Sequence, residues 1–114
     1  MLRYATFNDI EQLENIRIQS ISSLTKHYST QQLNIWKSLK PDWSKLYELT
    51  QIYCLNDSKV AGFITATKTE LKLLYIDPKY QKMGIGTFLV SNVENVGMIC
   101  DANILTEKIL IKRN

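Results

Sequence analysis

One stretch, Glu70–Val90 (ELKLLYIDPKYQKMGIGTFLV), constrains the fold of this chain more than any other part of it. Its first seven residues alternate with a period of two, so Leu71, Leu73 and Tyr75 are expected on one face. Both faces carry apolar residues, which is typical of a strand inside a sheet. From Ile85 onward, apolar residues recur at helical spacing. The stretch therefore predicts a strand, a tight glycine loop and a helix.

Two glycines, Gly84 and Gly86, stand where this helix is predicted to begin. The first turn of a helix has backbone N–H groups without an intrahelical partner and carries the positive end of the helix dipole, so it attracts anions. Glycine lets a phosphate approach the backbone and tolerates unusual backbone angles, and Lys82 adds a positive charge nearby. Two interpretations stay open: the glycines bind an anion, or they only make a tight turn.

The spacing around the glycines separates the known kinds of phosphate loop. A Walker loop needs G-x-x-x-x-G-K-[ST], which does not occur here, and a dinucleotide fingerprint needs Gly or Ala where Leu89 stands. Gln81, Gly84 and Gly86 instead match the pattern Q/R-x-x-G-x-G/A. The run resembles the acetyl-CoA signature of the GNAT superfamily, the Gcn5-related N-acetyltransferases, and the preceding LLYIDPKY is similar to that family's fourth strand and its exit.

The residues at the start of the chain predict a strand followed by a helix. Leu2–Ala5 is expected to form the strand. Asn8 followed by Glu11 has the form of a capping box, in which two side chains satisfy the free N–H groups of a helix start. We expect the first helix to begin there and to end near Lys26.

A second helix and two strands are predicted next. Ser29 with Gln32 repeats the capping signature, and Pro41 should end the helix that follows. Gln51–Leu55 and Lys59–Thr67 read as strands joined by a turn-rich triplet. Together with the strand that begins at Glu70, they predict an antiparallel meander of three strands.

The order of these elements is the order of the GNAT fold. Asn103–Ile111 is expected to add a fifth strand. The resemblance then implies the α+β (α/β) class: a GNAT-like acyl-CoA N-acyltransferase fold with a mixed, mostly antiparallel sheet flanked by helices, as one domain over residues 1–114. Complete members continue with a fourth helix and two more strands, which this sequence lacks.

Composition and charge exclude several other classes of protein. The 114 residues, 45% of them hydrophobic, suit one core, and their longest apolar runs are too short to span a bilayer. The net charge of +3 is scattered, with no basic stripe for nucleic acid. Cys54 and Cys100 lack metal-ligand spacing and indicate buried thiols in a reducing compartment. We expect a cytoplasmic protein without a metal, a membrane partner or a nucleic-acid partner.

The resemblance implies direct transfer of an acetyl group from acetyl-CoA, used as a co-substrate, to an amine acceptor. Backbone groups at the end of the strand would hold the pantetheine arm and polarise the thioester carbonyl, and the glycine loop would hold the pyrophosphate. The residues expected to bind acetyl-CoA are Leu74, Tyr75, Ile76, Gln81, Lys82, Met83, Gly84, Ile85, Gly86 and Thr87.

Two further residues are candidates for the acceptor side of the reaction. The amine must lose a proton before it attacks, and Glu70 lies fourteen positions (84 − 70) before Gly84, the offset of the general base in the histone-acetylating branch of the family. Glu70 also follows a turn, where a solvated acid is ordinary. Tyr28 lies in a region that borders the acceptor pocket in small bacterial members, and helix packing explains it equally well.

The region missing after the fifth strand leaves a second function open. In complete GNAT enzymes this region carries a tyrosine placed to protonate the departing CoA thiolate, and no residue here inherits that role. The alternative is a catalytically impaired acyl-CoA-binding or interaction module, a remnant of a GNAT enzyme. A fifth strand without its usual neighbours would expose an edge, which predicts a homodimer through the C-terminal strand.

Overall fold

The computed structural model describes residues 1–55, 59–93 and 99–100. The strands are β1 (Leu2–Tyr4), β2 (Thr50–Cys54), β3 (Val60–Ala66), β4 (Glu70–Ile76) and β5 (Ile99–Cys100), and the α-helices are α1 (Ile10–Ser22), α2 (Thr30–Ser38), α3 (Trp43–Leu46) and α4 (Ile85–Val93). From β1 through α4, this order confirms the predicted order of strands and long helices. None of the helices in the described ranges is long and apolar enough to cross a bilayer.

The five strands form one sheet in the order β1-β2-β3-β4-β5. The first four are antiparallel to their neighbours, and β5 runs parallel to β4, pairing Glu70 with Ile99 and Leu71 with Cys100. The sheet is therefore mixed and mostly antiparallel, as predicted. The strand predicted at Asn103–Ile111, and the homodimer predicted through it, lie outside the described residues.

Two apolar clusters fill the space on the two faces of the sheet. The first joins α1, α2 and α3 to the sheet and contains Leu13, Ile16, Ile21, Leu24, Leu33, Trp43, Ile52, Cys54, Val60, Phe63 and Tyr75. The second joins α4 to the opposite face and contains Ala61, Ile64, Leu71, Leu74, Ile76, Ile85, Leu89 and Val90. The sheet is thus covered by helices on both faces, and α4 is anchored directly against β3 and β4.

A β-bulge in β4 overturns one prediction about its faces. The pairing with β3 shifts register at Lys72, so one extra residue is inserted between the pairs made by Leu71 and Leu73. Leu71 consequently packs with Leu74 on the α4 face, whereas Leu73 and Tyr75 face α1. The prediction that Leu71 shares a face with these two residues was wrong, because simple period-two alternation does not include an inserted residue.

The start and end of α1 also differ from the prediction. Asn8 does not cap the helix; the Asp9 carboxylate accepts hydrogen bonds from the backbone N–H and the hydroxyl of Thr6, at 2.7 and 3.0 Å. The helix ends at Ser22 rather than near Lys26. The chain tightens there, since the N–H of Leu24 bonds to a carbonyl three residues earlier, the spacing of a turn.

The predicted cap of α2 is confirmed. The Ser29 N–H donates to Gln32 Oε1 at 2.9 Å, and the Gln32 N–H donates to Ser29 Oγ at 3.1 Å. This reciprocal pair satisfies two N–H groups at the helix start that would otherwise need water. The helix ends at Ser38, before Pro41, as expected.

Candidate functional site

The glycine loop, residues 77–84, leaves the end of β4 in a tightly bonded turn. The Asp77 N–H donates to the Ala61 carbonyl at 2.8 Å, which extends the β3–β4 ladder by one bond. The Asp77 carboxylate then accepts from the Lys79 N–H at 3.0 Å, and the Tyr80 N–H donates to the Asp77 carbonyl. These bonds stabilise the 3₁₀ turn Pro78–Tyr80 and give the loop a defined direction where it leaves the sheet.

Gln81, the first residue of the predicted motif, ties the loop back to the strand. Its side-chain Nε2 donates to the Ile76 carbonyl at 3.2 Å. The same carbonyl accepts a second bond from the Ser20 hydroxyl of α1 at 2.8 Å. Gln81 thus supports the loop from within, and its side-chain amide is engaged with β4.

Two residues of the loop adopt left-handed backbone angles. Lys82 has φ 66° and Gly84 has φ 82°. A Cβ on Gly84 would meet no atom within 4 Å, so glycine is favoured there by its backbone angle and not by lack of space. Gly86 lies in the first turn of α4 without a positive φ. Of the two motif glycines, Gly84 alone uses the conformational freedom expected of both.

The N-terminus of α4 presents its backbone at the surface. The Phe88 N–H donates to the Gly84 carbonyl at 3.0 Å, so Gly84 caps the helix. The N–H groups that precede Phe88 in the first turn have no carbonyl partner within the helix, as at any helix start. Ile85 is buried and anchors the turn, while Gly84 and Thr87 are exposed. The loop and helix start can therefore offer several N–H groups and a hydroxyl to one anion.

The C-terminal half of β4 directs backbone groups toward both of its edges. Because the Asp77 N–H points to β3, strand alternation directs the backbone groups of Leu74 and Ile76 to the other edge, where the Ile76 carbonyl is indeed bonded to Ser20 and Gln81. In the described part of the chain, β5 pairs with Glu70 and Leu71 alone.

The side chains at this end of β4 are nearly inaccessible. Leu74, Tyr75 and Ile76 have exposed fractions of 0%, 2% and 4%. These three predicted cofactor residues can therefore bind a ligand through the backbone and not through their side chains.

Glu70, the candidate general base, begins β4 at the end opposite the loop. Its carboxylate is about two-fifths exposed, and its Oε1 lies 3.0 Å from Lys72 Nζ. Seven strand residues span about 20 Å, so Glu70 and the glycine loop lie near opposite ends of the strand. A ligand that reaches both must be extended along β4.

Tyr28, the candidate acceptor residue, packs in the turn between α1 and α2. Its ring meets Trp36 edge-on with centroids 5.9 Å apart and meets His27 at 6.5 Å. The Tyr28 ring is half-buried against the core cluster on the α1 face. Tyr28 therefore packs against other side chains of the chain, and its role in binding the acceptor stays a prediction.

Sequence reasoning missed the part played by Ser20. This residue is 1% exposed and lies on the apolar stripe of α1, between Ile16 and Ile21 in the core. A hydroxyl on a buried stripe was the available signal, because a buried polar group normally has a hydrogen-bond partner. Its partner is the carbonyl at the start of the loop, which no local pattern could indicate.

A cleft of about 220 Å³ separates α1 from the back of the loop. Among the described residues, no group of three or more His, Cys, Asp and Glu side chains could hold a metal ion, there or elsewhere. The cleft is lined by Gln12, Asn15, Ile16, Gln19, Lys59, Val60, Asp77 and Lys79. Two of these residues, Asp77 and Lys79, belong to the glycine loop.

The arrangement of β4, loop and α4 agrees with a match to a known family. Residues 11–105 match the sequence profile described as the acetyltransferase (GNAT) family. This segment includes most of the chain and the whole of the glycine loop. The chain belongs to the GNAT family. The resemblance inferred from Gln81, Gly84 and Gly86 is therefore confirmed.

The chain is also similar in sequence to a bacterial N-acetyltransferase. The chain is 26% identical over 85 residues to YafP, an uncharacterized N-acetyltransferase of Escherichia coli strain K12. That match covers 72% of this chain and 57% of YafP, so the chain spans less than two thirds of its relative's length.

Two solved GNAT structures have the same fold as this chain. A GCN5-related N-acetyltransferase from Rhodopseudomonas palustris superposes with a TM-score of 0.82 and 23% identity, covering 99% of this chain and 79% of the other. The PaiA N-acetyltransferase of Thermoplasma acidophilum, in complex with coenzyme A, gives 0.70 and 22%, covering 98% and 86%. The predicted GNAT fold is confirmed.

Proposed function

We propose that this GNAT domain transfers an acetyl group from acetyl-CoA to a primary amine by direct attack. The observation that carries the proposal is the glycine loop itself. Gln81 holds it against β4, Gly84 turns it in the left-handed region, and the exposed start of α4 follows at once. The complex of a fold relative, PaiA, with coenzyme A supports the same class of ligand.

The pyrophosphate of acetyl-CoA would bind at the start of α4. The backbone N–H groups of residues 84–87 are suited to phosphate oxygens, because the helix dipole favours negative charge there. The exposed hydroxyl of Thr87 adds a donor, and the exposed ammonium of Lys82 adds a positive charge. Ile85 would contribute backbone contacts only, because its side chain is buried, whereas the exposed Met83 would lie beside the ligand.

The acetyl thioester would lie along the edge of β4 that carries the Leu74 and Ile76 backbone. An N–H on this edge would stabilise the negative charge that develops on the carbonyl oxygen as the amine attacks. The amine nitrogen bonds to the acetyl carbon, the carbon–sulfur bond breaks, and CoA leaves as a thiolate that takes up a proton. No covalent bond to the protein is needed.

Glu70 is proposed as the base that removes the proton of the amine. Its carboxylate is two-fifths exposed and is therefore accessible to an acceptor, although Lys72 Nζ lies 3.0 Å from Oε1. Glu70→Gln should lower turnover at saturating acetyl-CoA by about 100-fold, the lower end of the range for general acid–base catalysis. Glu48→Gln, at an exposed acid in the turn after α3, is the matched control. Equal rates in both variants across pH would contradict the role of Glu70.

A second candidate function is acyl-CoA binding without turnover. The Glu70–Lys72 ion pair favours it, because the Lys72 ammonium occupies a carboxylate oxygen that a general base would need. Both functions use the same loop. A screen of amines for release of free CoA thiol separates them.

Titration with acetyl-CoA tests the binding site on which both candidates depend. Gly84→Asp and Gly84→Asn form a matched pair, since the two side chains have the same shape and both tolerate a left-handed backbone, but only Asp carries a negative charge. We expect the wild-type protein to bind acetyl-CoA. We expect the affinity of Gly84→Asp for acetyl-CoA to be at least 10-fold lower than that of Gly84→Asn. Equal affinities for the two variants, or no binding to wild type at millimolar acetyl-CoA, would contradict the proposal.

The state of one cysteine supports a cytoplasmic location for the protein. Cys54 is a free, buried thiol. A thiol that is neither paired nor metal-bound is at home in a reducing compartment, and this supports the cytoplasm as the place of the reaction.

A further inference from the structure

Two side chains from distant parts of the chain donate to one backbone oxygen at the start of the glycine loop. Ser20 Oγ of α1 lies 2.8 Å from the Ile76 carbonyl oxygen, and Gln81 Nε2 lies 3.2 Å from it. We propose that Ser20 is a positioning residue for coenzyme A binding, which acts through Gln81 on the geometry of the loop. This inference rests on the proposed function, because it assigns a role within the same binding site.

The peptide group between Ile76 and Asp77 is held from three elements at once. Its carbonyl accepts from α1 and from the loop, and its N–H donates to the Ala61 carbonyl of β3 at 2.8 Å. This peptide is the last point of β4 before the loop begins. Its orientation therefore decides the direction in which the loop leaves the sheet.

Ser20 limits the freedom of Gln81 at this carbonyl. A carbonyl oxygen has two lone pairs, so two donors occupy its full capacity. The Ser20 hydroxyl is 1% exposed, and water does not compete for its bond. Because Ser20 occupies one lone pair of the Ile76 carbonyl oxygen, the Gln81 amide can approach this oxygen from one direction only. This fixes the backbone of Gln81 just before Lys82, which has a left-handed backbone angle.

Loss of the Ser20 hydroxyl should loosen the loop without removing any group that touches coenzyme A. Gln81 could then approach either lone pair, and the N–H groups at the start of α4 would be less well aligned in the free protein. A site that must be ordered on binding has lower affinity than one that is ordered beforehand. We expect the lost affinity to come from weaker binding of the pyrophosphate, because the loop and the first turn of α4 are the parts that become less ordered.

Calorimetric titration of the whole chain with coenzyme A tests this proposal. Ser20→Ala should weaken binding about 3- to 10-fold, the effect of one hydrogen bond. Ser23→Ala is the matched control, since its hydroxyl also donates to a backbone carbonyl, that of Ser20, at 2.7 Å, and lies on the same end of α1. We expect Ser23→Ala to bind as wild type does, and Ser20→Ala to leave the affinity for pantetheine, which lacks the pyrophosphate, unchanged.

A double-mutant cycle separates positioning from a general loss of stability. If Ser20 acts through Gln81, then Ser20→Ala has no further effect on coenzyme A affinity once Gln81→Ala is present. A merely structural role would give additive losses. Additive losses, or equal affinities of Ser20→Ala and Ser23→Ala, would overturn the proposal.

Hydrogen exchange of the free protein makes the test independent of ligand binding. Ser20→Ala should speed exchange at the amides of residues 82–87 at least 3-fold relative to Ser23→Ala. Unchanged exchange overturns the inference. Faster exchange in a protein that binds no coenzyme A would instead retain the role of Ser20 in the loop and contradict the proposed function.

Discussion

The guanidinium of Arg17 holds the carboxylate of Glu14 through two nitrogens, with Nε 2.9 Å from Oε1 and Nη2 3.0 Å from Oε2. The same guanidinium donates to the carbonyls of Trp36 and Lys37 at the end of α2, at 3.3 and 2.7 Å. The Trp43 indole donates to Glu14 Oε1 at 2.9 Å. One ion pair, with its arginine buried and its carboxylate one-fifth exposed, thus joins α1 to α2 and α3 and holds the helices that cover the α1 face of the sheet.

Replacing Arg17 should destabilise the protein far more than replacing an exposed arginine. Arg17→Met leaves the Glu14 carboxylate and two helix-end carbonyls without the guanidinium, so we expect a loss of about 3 kcal/mol in the free energy of unfolding. Arg3→Met is the matched control, because Arg3 also pairs with a carboxylate, Asp9, at 2.9 Å but is 42% exposed. Its loss should stay below about 1 kcal/mol. Denaturant unfolding measures both, and equal losses would contradict the prediction.

Acid should destabilise the protein in a defined pH range. The hydrogen bonds from Arg3, supported by those from Thr6, lower the pKa of Asp9 from 3.8 to about 2. Burial alone would raise the pKa of Glu14, but hydrogen bonds from Arg17 and Trp43 outweigh it and leave that pKa below its ordinary value of 4.5. Groups with a lowered folded-state pKa stabilise the protein above the unfolded-state pKa, and this stabilisation is lost as the pH falls.

Unfolding measured between pH 6 and pH 2 checks this range. We expect the free energy of unfolding to fall from about pH 4 downward, with about 1 kcal/mol of the change due to Asp9 after allowance for solvent screening. Asp9→Asn should have a shallower fall over the same range. An Asp9→Asn profile parallel to that of wild type would show that the Arg3–Asp9 pair contributes nothing to the acid response.

Gly62 should resist even the smallest added side chain. A Cβ at this position would lie 2.5 Å from Ile76 Cδ1 and 3.1 Å from the Tyr75 carbonyl oxygen, across the β3–β4 pair. Gly62→Ala should therefore lower the free energy of unfolding by about 1–3 kcal/mol, as overpacked cores do. Ile76→Val removes the Cδ1 atom, so Gly62→Ala should cost less in that background. Equal costs in both backgrounds would exclude this clash as the cause.

Lys82 should tolerate glycine better than its neighbour Lys79. Lys82 has φ 66°, a left-handed angle that costs a non-glycine residue about 1 kcal/mol or more, whereas Lys79 has no positive φ. We expect Lys82→Gly to leave the free energy of unfolding unchanged or to raise it by up to about 1 kcal/mol, after the greater flexibility of glycine in the unfolded chain is included. Lys79→Gly should lower it by about 0.5 kcal/mol. Thermal unfolding compares the two, and a larger loss in Lys82→Gly would contradict the prediction.

Local signals in the sequence were sufficient for the order of elements and for the glycine loop. Strand and helix periods depend on neighbouring residues, and the pattern of Gln81, Gly84 and Gly86 depends on a short turn. The reciprocal cap of Ser29 and Gln32 was equally readable, because its partners are three residues apart. The cap of α1 was misplaced, because Thr6 and Asp9 are also three residues apart and form the bonds that were expected of Asn8 and Glu11.

Features that join distant parts of the chain were not predictable. The bulge at Lys72, which turns Leu71 to the α4 face, depends on pairing with β3 and leaves no mark on the local apolar pattern. The roles of Glu70 and Tyr28 stay predictions, because they concern ligands and not the contacts within the chain.

The sequence by itself determined the family, the succession of strands and helices, and the place of the loop where an anion can bind, because each of these depends on residues close together along the chain. Only the tertiary structure decided how that loop is held. The Ile76 carbonyl accepts from Gln81, five residues away, and from Ser20, 56 residues away, and the Ser20 bond exists only once α1 packs against β4. Hydrogen bonds between distant residues are selected by packing, and packing depends on the whole chain at once.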